Sequence, residues 1–330
     1  MSDSSDFAPT ATWEMLRLRA ALLWRLRQFF NQRDFLEVET PLLSHDTVAD
    51  VHIDPLPVSL FEDARRPDMA MPMWLQTSPE FGMKRLLAAG AQRIYQVTRA
   101  FRAGETGAWH NPEFTIVEWY RVGDTLRDGM ELLASLAQEL LAANRVEQLT
   151  YAEAFERCAH LNPHRATHSQ LADCAARHAL HPPRSLGESR DEWLNFLLAE
   201  LVEPYLGADC PVLLYDYPAS QAALARVRHD PAEGCDVAER FELYFQGVEL
   251  ANGYHELLES EVLRDRIRAA NAARQLDGRY SVPPENRLLA AMDHGLPPCA
   301  GVALGFDRLV MVAAGKRCLR EVMAFPIDRA

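Results

Sequence analysis

Three short stretches hold more charged and polar side chains than a packed segment needs. In the first, Phe101-Arg102 is followed by His110-Asn111-Pro112-Glu113-Phe114-Thr115 and then Glu118. Arginine presents forked donors that match a phosphate, and Phe114 offers a ring on which a base can stack. The same residues also read as a surface hairpin with an incidental arginine. In the second, Glu242 precedes Glu249-Leu250-Ala251-Asn252-Gly253-Tyr254-His255-Glu256. On one uninterrupted strand Glu242 and Glu249 would face opposite ways, but Gln246-Gly247 predicts a turn that lets both face one site. Paired carboxylates suit Mg2+ bridged to phosphates, since that ion takes only one or two protein carboxylates. A solvated strand edge is the plainer alternative. The third stretch is Gly301-Val302-Ala303-Leu304-Gly305-Phe306-Asp307-Arg308-Leu309. Its glycines permit close backbone approach, and an arginine inside an apolar run is hard to explain as packing, because an unpaired buried charge is costly.

The elements that must position these residues follow from periodicity. Met15, Leu18, Leu22, Leu26, Phe29 and Phe30 recur at helical spacing and predict a helix over 13–33. It runs into Phe35-Leu36-Glu37-Val38-Glu39-Thr40-Pro41, which alternates like a strand and stops at proline. Residues 72–80 predict a short strand or loop ending in Ser78-Pro79-Glu80, and 81–90 a helix with a glycine stop. Residues 93–102 and 114–120 predict a strand pair with a long tip. The stretch of about 124–206 is helical in pattern, with helices near 126–140, 168–180 and 190–206 and a break at Pro182-Pro183. Strands are expected at 211–217, 239–245, 248–252 and 301–304, and helices at 261–275 and 305–314. Strands and helices do not alternate strictly. The expected class is therefore α+β, a mainly antiparallel sheet flanked by helices.

Composition bounds the function. The chain has 330 residues, 48% hydrophobic and 25% charged, as in an ordinary globular protein. A net charge of −13 disfavours sequence-independent polyanion binding. The first residues, MSDSSDFAPTAT, lack the basic and apolar regions of a secretory signal. The most apolar C-terminal stretch, 301–314, is short and carries Asp307 and Arg308, so no membrane span is expected. Six cysteines lie far apart without a C-x-x-C pair, which predicts reduced thiols and a cytoplasmic location.

Together the three stretches resemble the signature motifs of class II aminoacyl-tRNA synthetases. Glu37-Val38-Glu39-Thr40-Pro41 resembles motif 1, Arg102 through Glu118 motif 2, and Gly301 through Arg308 motif 3. Within that class the chain is similar to lysyl-tRNA synthetases. The residues that carry this are Ser78-Pro79-Glu80 with Lys84-Arg85, the run from His110 to Thr115, and Glu249, Asn252 and Glu256. It most resembles the truncated paralogues that attach β-lysine to elongation factor P. Residues 13–330 would form the catalytic domain, with 124–206 as a mostly helical insertion between motifs. About a dozen residues precede the first helix, against the ~100 of a small OB-type domain. No anticodon-binding domain is expected, and tRNA is disfavoured as acceptor.

The resemblance implies roles residue by residue. Arg102 would hold the α-phosphate of ATP and, with Arg308, carry catalysis. Phe114 would stack on adenine, with Arg308 on the other face. Glu105, His110, Asn111, Leu250 and Gly305 would complete the ATP site, and Glu242 and Glu249 would hold Mg2+ and ATP. Glu118, Tyr120 and Glu256 would line the pocket for the side-chain ammonium of β-lysine or lysine, and Ser78 would also bind the substrate. Glu80 would meet the other amino group and Asn252 the substrate carboxylate. Motif 1 in this class is a dimer element, so a homodimer is expected. Two departures stand out. The usual Arg-x-Glu of motif 2 reads Arg102-Ala103-Gly104-Glu105 here, so the glutamate comes one place late. Ala303 stands where lysyl-tRNA synthetases usually carry glycine, and its methyl is expected to favour the β-isomer. Competing readings are a ligase making aminoacyl-tRNA or a small aminoacyl product, and an inactive regulatory paralogue.

Overall fold

A computed structural model describes residues 7–48, 50–183 and 186–330. Residues 1–6, part of the stretch from which no secretory signal is expected, lie outside these. The chain divides into two compact units, one formed by 1–123 with 257–330 and the other by 124–256.

The first unit opens with α1 (Trp13–Asn31), whose Thr12 side chain accepts from the Met15 N–H and caps the free first turn. There follow β1 (Leu36–Glu37), β2 (Leu43–Ser44), β3 (Leu56–Leu60), β4 (Met71–Leu75), α2 (Glu80–Ala88), β5 (Arg93–Phe101) and β6 (Glu113–Val122). The second unit holds α3 (Leu126–Leu141), β7 (Glu147–Thr150), α4 (Tyr151–Ala159), α5 (His168–Arg177), α6 (Arg190–Leu197), β8 (Val212–Pro218), β9 (Val227–Asp230), β10 (Cys235–Phe245) and β11 (Val248–His255). The chain then completes the first unit with α7 (Ser260–Leu276), α8 (Arg287–Gly295), β12 (Cys299–Gly305) and α9 (Phe306–Ala313).

In the first unit β5, β6 and β12 pair antiparallel, and β1 adds to β5 in parallel. A separate small sheet has the order β2-β4-β3. The odd-numbered residues of β6 face α1. Trp119 lies against Phe30, and Tyr95 of β5 stacks on the same ring at 4.6 Å. The even-numbered face, Phe114 to Tyr120, is left for the site. In the second unit β10 pairs antiparallel with β11, β8 and β9, and β7 pairs with β8 in parallel. Tyr151, Phe155, Leu171, Leu194, Leu197 and Val202 pack with Leu214, Tyr217 and Tyr244 in one buried cluster. The architecture is α+β with mainly antiparallel pairing, as expected.

The differences from the sequence reading have local causes. The motif 1 strand is only Leu36–Glu37, where β5 is there to pair with it. The helix expected over 190–206 ends at Leu197. It passes through a π turn at Leu198–Val202 and a 3-10 turn at Glu203–Tyr205, because Pro204 has no N–H with which to continue an α-helix. The short strands β2, β3, β7 and β9 and the helix α8 had no clear pattern. Helix α4 did have a signal: Thr150 and Glu153 form a capping box.

One ion pair ties three elements of the first unit together. Arg19 of α1 donates to Asp307 Oδ1 at 2.5 Å and to Thr115 Oγ1 at 2.7 Å, and Asp307 Oδ2 accepts the Thr115 N–H at 2.7 Å. Asp307 is 2% exposed. Removing it strands both a cation and an amide, so Asp307→Ala should cost about 3 kcal/mol. Urea unfolding would read this, and a loss below about 1 kcal/mol would rank the pair with surface ion pairs.

Candidate active site

The β5–β6 hairpin closes at the Phe101–Glu113 pair, and the Arg102 N–H donates to Pro112 O at 2.9 Å. Residues 102–112 form the tip. The Arg102 guanidinium lies over the Phe114 ring at 5.0 Å. Its Nε is buried without a hydrogen-bond partner. A buried guanidinium donor left unmet is costly, so this position suits an anionic acceptor such as a phosphate oxygen. Gly104 has φ of +77°, a left-handed geometry that an L side chain resists. The chain folds back there, and Glu105 Oε1 comes within 3.7 Å of Arg102 Nη1.

The tip is fastened to the last part of the chain. Leu319 N–H donates to Ala108 O at 2.8 Å and Trp109 Nε1 to Arg317 O at 3.1 Å. Arg308, in the first turn of α9, donates through Nε to Trp109 O at 3.1 Å and approaches His110 Nε2 at 2.7 Å through Nη2. Burial, then the Arg308 charge, push the His110 pKa down, so a neutral ring accepts from Arg308. Asn111 is occupied by backbone. Its Nδ2 donates to Glu113 O at 2.6 Å and its Oδ1 accepts the Ile327 N–H at 2.9 Å.

The even face of β6 carries Phe114, Ile116, Glu118 and Tyr120. Opposite them on β12 stand Gly305 beside Ile116, Ala303 beside Glu118 and Gly301 beside Tyr120. Three small residues thus flank a buried acid across the strand pair. Glu118 is 1% exposed and accepts from Ser78 Oγ, which in turn accepts the Glu80 N–H at 3.0 Å. On α2, Glu80 is bridged by Lys84 at 2.5 Å, with Lys84 Nζ 6.0 Å from the Tyr120 ring centre. Sequence reasoning did not place Lys84 in the site, although Glu80 and Lys84 have the i, i+4 spacing of a helical ion pair. Two carboxylates, Glu80 and Glu118, thus stand in one patch with Lys84. A cavity of about 290 Å³ lies beside it, bounded in part by Thr40, Gln76, Ser78, Phe81 and Arg85.

In the second unit the β10–β11 hairpin turns at Gln246 and Gly247, with φ of 54° and 73°. A left-handed pair of this kind makes the two-residue turn that matches strand twist. The register runs Glu242–Asn252, Leu243–Ala251, then Tyr244–Glu249, so Leu250 bulges. Glu249 and Asn252 are an odd number of residues apart, yet the bulge puts both on the Glu242 face. Gly253 is required on the opposite face, where a Cβ would come within 2.4 Å of the Phe241 ring.

Glu242 is 4% exposed. Its Oε2 accepts from Tyr217 Oη at 2.5 Å and Tyr244 Oη at 2.6 Å, and its Oε1 accepts from Arg240. Burial and this carboxylate hold both phenols well above their usual pKa. Tyr244 Oη also lies 3.2 Å from Glu203, just after the π turn. Asn252 Nδ2 donates to Tyr254 Oη at 3.1 Å, while its Oδ1 is buried without a partner. The second amide hydrogen remains for a carboxylate, and the orphaned oxygen suits a donor. Glu256 is 1% exposed, and its backbone bridges Ala225. Among the described residues no cluster of three or more His, Cys, Asp or Glu forms a metal centre. The donor set that fits a hard cation is Glu242 with Glu249. After three hydrogen bonds Glu242 retains an acceptor position on Oε1, and Mg2+ needs only one or two carboxylates.

Comparison with known proteins gives the family of the chain. The family model of class II tRNA synthetases (D, K and N) matches residues 5–329. A protein of Hamiltonella defensa named elongation factor P–(R)-β-lysine ligase is 44% identical over 333 residues, covering 100% of both chains. Proteins of the same name from Edwardsiella ictaluri and Vibrio cholerae are each 44% identical, over 332 and 327 residues, covering 100% and 99% of both chains. With the match spanning all three motifs, the chain belongs to the family of class II tRNA synthetases (D, K and N).

Proposed function

We propose that this chain is an ATP-dependent ligase. It activates (R)-β-lysine as an aminoacyl-adenylate and transfers it to a lysine ε-amine of elongation factor P. The observation that carries this reading is the buried Glu118, paired across β12 with the small Ala303, in a chain that aligns end to end with proteins bearing that name. A dicationic amino acid needs anions at separate points, and a carboxylate held out of water discriminates it from neutral analogues. Glu118, Tyr120 and Glu256 serve the side-chain ammonium, with Ser78 steadying Glu118. Glu80 meets the other amino group and Asn252 the carboxylate.

In the first step a carboxylate oxygen of the amino acid attacks the α-phosphorus of ATP. The new O–P bond forms as the α–β bridge breaks, and pyrophosphate leaves with the electron pair. Arg102 neutralises the α-phosphate charge that builds up, while Phe114 and Arg308 hold the base between them. Glu105 is turned back by Gly104 and takes the adenine contact that an Arg-x-Glu sequence would supply. His110 orients Arg308, and Asn111 fixes the base of the tip. Glu242 and Glu249 are the residues that would hold Mg2+, which supplies charge neutralisation at the phosphates. Leu250 and Gly305 line the nucleotide side. In the second step a neutral ε-amine attacks the adenylate carbonyl. The C–N bond forms, AMP departs with the C–O electron pair, and the amine proton passes to solvent.

The remaining proposals concern setting. Residues 124–206 serve as an insertion within the catalytic domain, 13–330, and the acceptor is a protein amine rather than tRNA. The chain acts as a homodimer through α1, where Trp13 and Trp24 are 71% and 64% exposed. It acts in the cytoplasm. Among the described residues no helix is long and apolar enough to cross a membrane.

Amino-acid-dependent ATP–pyrophosphate exchange tests the reading, with α-lysine, both β-lysine enantiomers, ornithine and arginine as the panel. Exchange should be strongest with (R)-β-lysine, and absence of exchange with every member would defeat the proposal. Glu118→Gln should lower kcat/KM for the amino acid about 10- to 100-fold, the worth of one charge-assisted bond, with the KM for ATP little changed. Ala303→Gly should raise α-lysine use relative to β-lysine about tenfold, as removal of one methyl from a pocket wall does. An unchanged isomer ratio would discard the steric role of Ala303.

A further inference from the structure

Arg274, on α7, is wholly buried at 0% exposure, and the proposed reaction assigns it nothing. Its donors are met by oxygen. Nε donates to Tyr280 O at 3.0 Å, Nη1 to Asp50 O at 2.9 Å and Ile53 O at 3.1 Å, and Nη2 to Asp54 Oδ1 at 2.7 Å. The Tyr280 ring covers the guanidinium at 5.1 Å, and its hydroxyl donates to Pro55 O. Arg279 adds Val51 O at 2.8 Å and Asp54 Oδ2 at 3.4 Å. Residues 50–55 belong to no helix or ladder. Their carbonyls still need donors, and side chains from 274–280 supply them at Asp50, Val51, Ile53 and Pro55.

Of the two remaining carbonyls, that of Asp54 accepts the Ala103 N–H at 2.7 Å. Ala103 directly follows Arg102. The two amides before it are anchored elsewhere, Phe101 N–H on Gln76 O and Arg102 N–H on Pro112 O, each at 2.9 Å. Three consecutive amides at the base of the hairpin tip are thus fastened to three different segments. The next residue, Gly104, is where the chain turns back. The fastening of Ala103 is only as firm as the segment that holds it.

We infer that Arg274 is a positioning residue for Arg102. By clamping 50–55 it fixes the Ala103 amide, and so sets the angle at which Arg102 leaves β5 toward the nucleotide. The inference rests on the nucleotide role proposed for Arg102, but its structural half can be read without any activity.

Arg274→Lys keeps the charge and loses the planar fork, so one ammonium must replace donors spread over four acceptors. Hydrogen exchange of the amides at 101–104 should accelerate about tenfold while those of α1 stay as in the unaltered protein. The KM for ATP should rise about tenfold, and that for the amino acid should move less than about twofold. Asp54→Asn keeps Arg274 on its backbone acceptors and should show the same pattern more weakly. It carries the test if Arg274→Lys does not fold. Unchanged exchange at 101–104 in the folded variant would overturn the inference. So would equal acceleration in α1 and at the hairpin base, which marks a general loss of stability. Local acceleration at 101–104 in a protein whose unaltered form gives no pyrophosphate exchange would uphold the clamp and remove the proposed reaction instead.

Discussion

A carboxylate taken out of water must be met by donors or by a cation, and much of this molecule is arranged around that requirement. Glu118, Glu242, Glu256 and Asp307 are all at most 4% exposed. Each reaches its place by strand alternation, a bulge or a helix start, and for three of them the structure shows what meets the charge. Asp307 has an arginine and an amide, Glu242 has two phenols and an arginine, and Glu118 has the Ser78 hydroxyl. The balance differs among them. Asp307 is satisfied from within and works as a joint. Glu118 accepts from the Ser78 hydroxyl across from the small Ala303, and the reading proposed for it adds a substrate ammonium to those donors.

Much of the frame was legible in the sequence because long elements print their period clearly. The first helix, the β5–β6 pair and the motif 3 strand and helix need apolar residues at fixed spacing over seven or more positions. The polar residues that break that spacing mark the site. Shorter elements carry too few residues for a period to emerge, as with the two-residue β2 and the four-residue β7. A capping signature at Thr150 and Glu153 would have revealed α4 without any period at all.

Inside the site, residue types were easier to read than their partners. The turn at Gln246-Gly247 was readable from composition, but the Leu250 bulge was not. It depends on how two strands settle against each other, and without it Glu249 and Asn252 would lie on opposite faces. The ion pair of Lys84 with Glu80, and the closing of Asn111 on two backbone groups, likewise depend on packing that local sequence does not encode. Arg274 is the extreme case. It stands 220 residues from Asp54, and an arginine on a charged helix looks like a solvated one until its surroundings are known.

The first unit is built from both ends of the chain, which has a consequence for the order of assembly. Thr10 N–H reaches Ala324 O at 2.9 Å, and Arg19 meets Asp307 across 288 residues. The second unit is one unbroken stretch, 124–256, with its own buried cluster. As the chain emerges from the ribosome, that stretch holds all it needs to collapse while the last strand and helix are still being synthesised. The first helix has no such freedom. Phe30 can find Tyr95 and Trp119 early, but the ion pair that seats the helix waits until Asp307 is translated, and it bears the entropy of closing a loop of 288 residues. The middle of the polypeptide is thus positioned to mature before its beginning, leaving the N-terminal helix as the segment in need of shelter during synthesis.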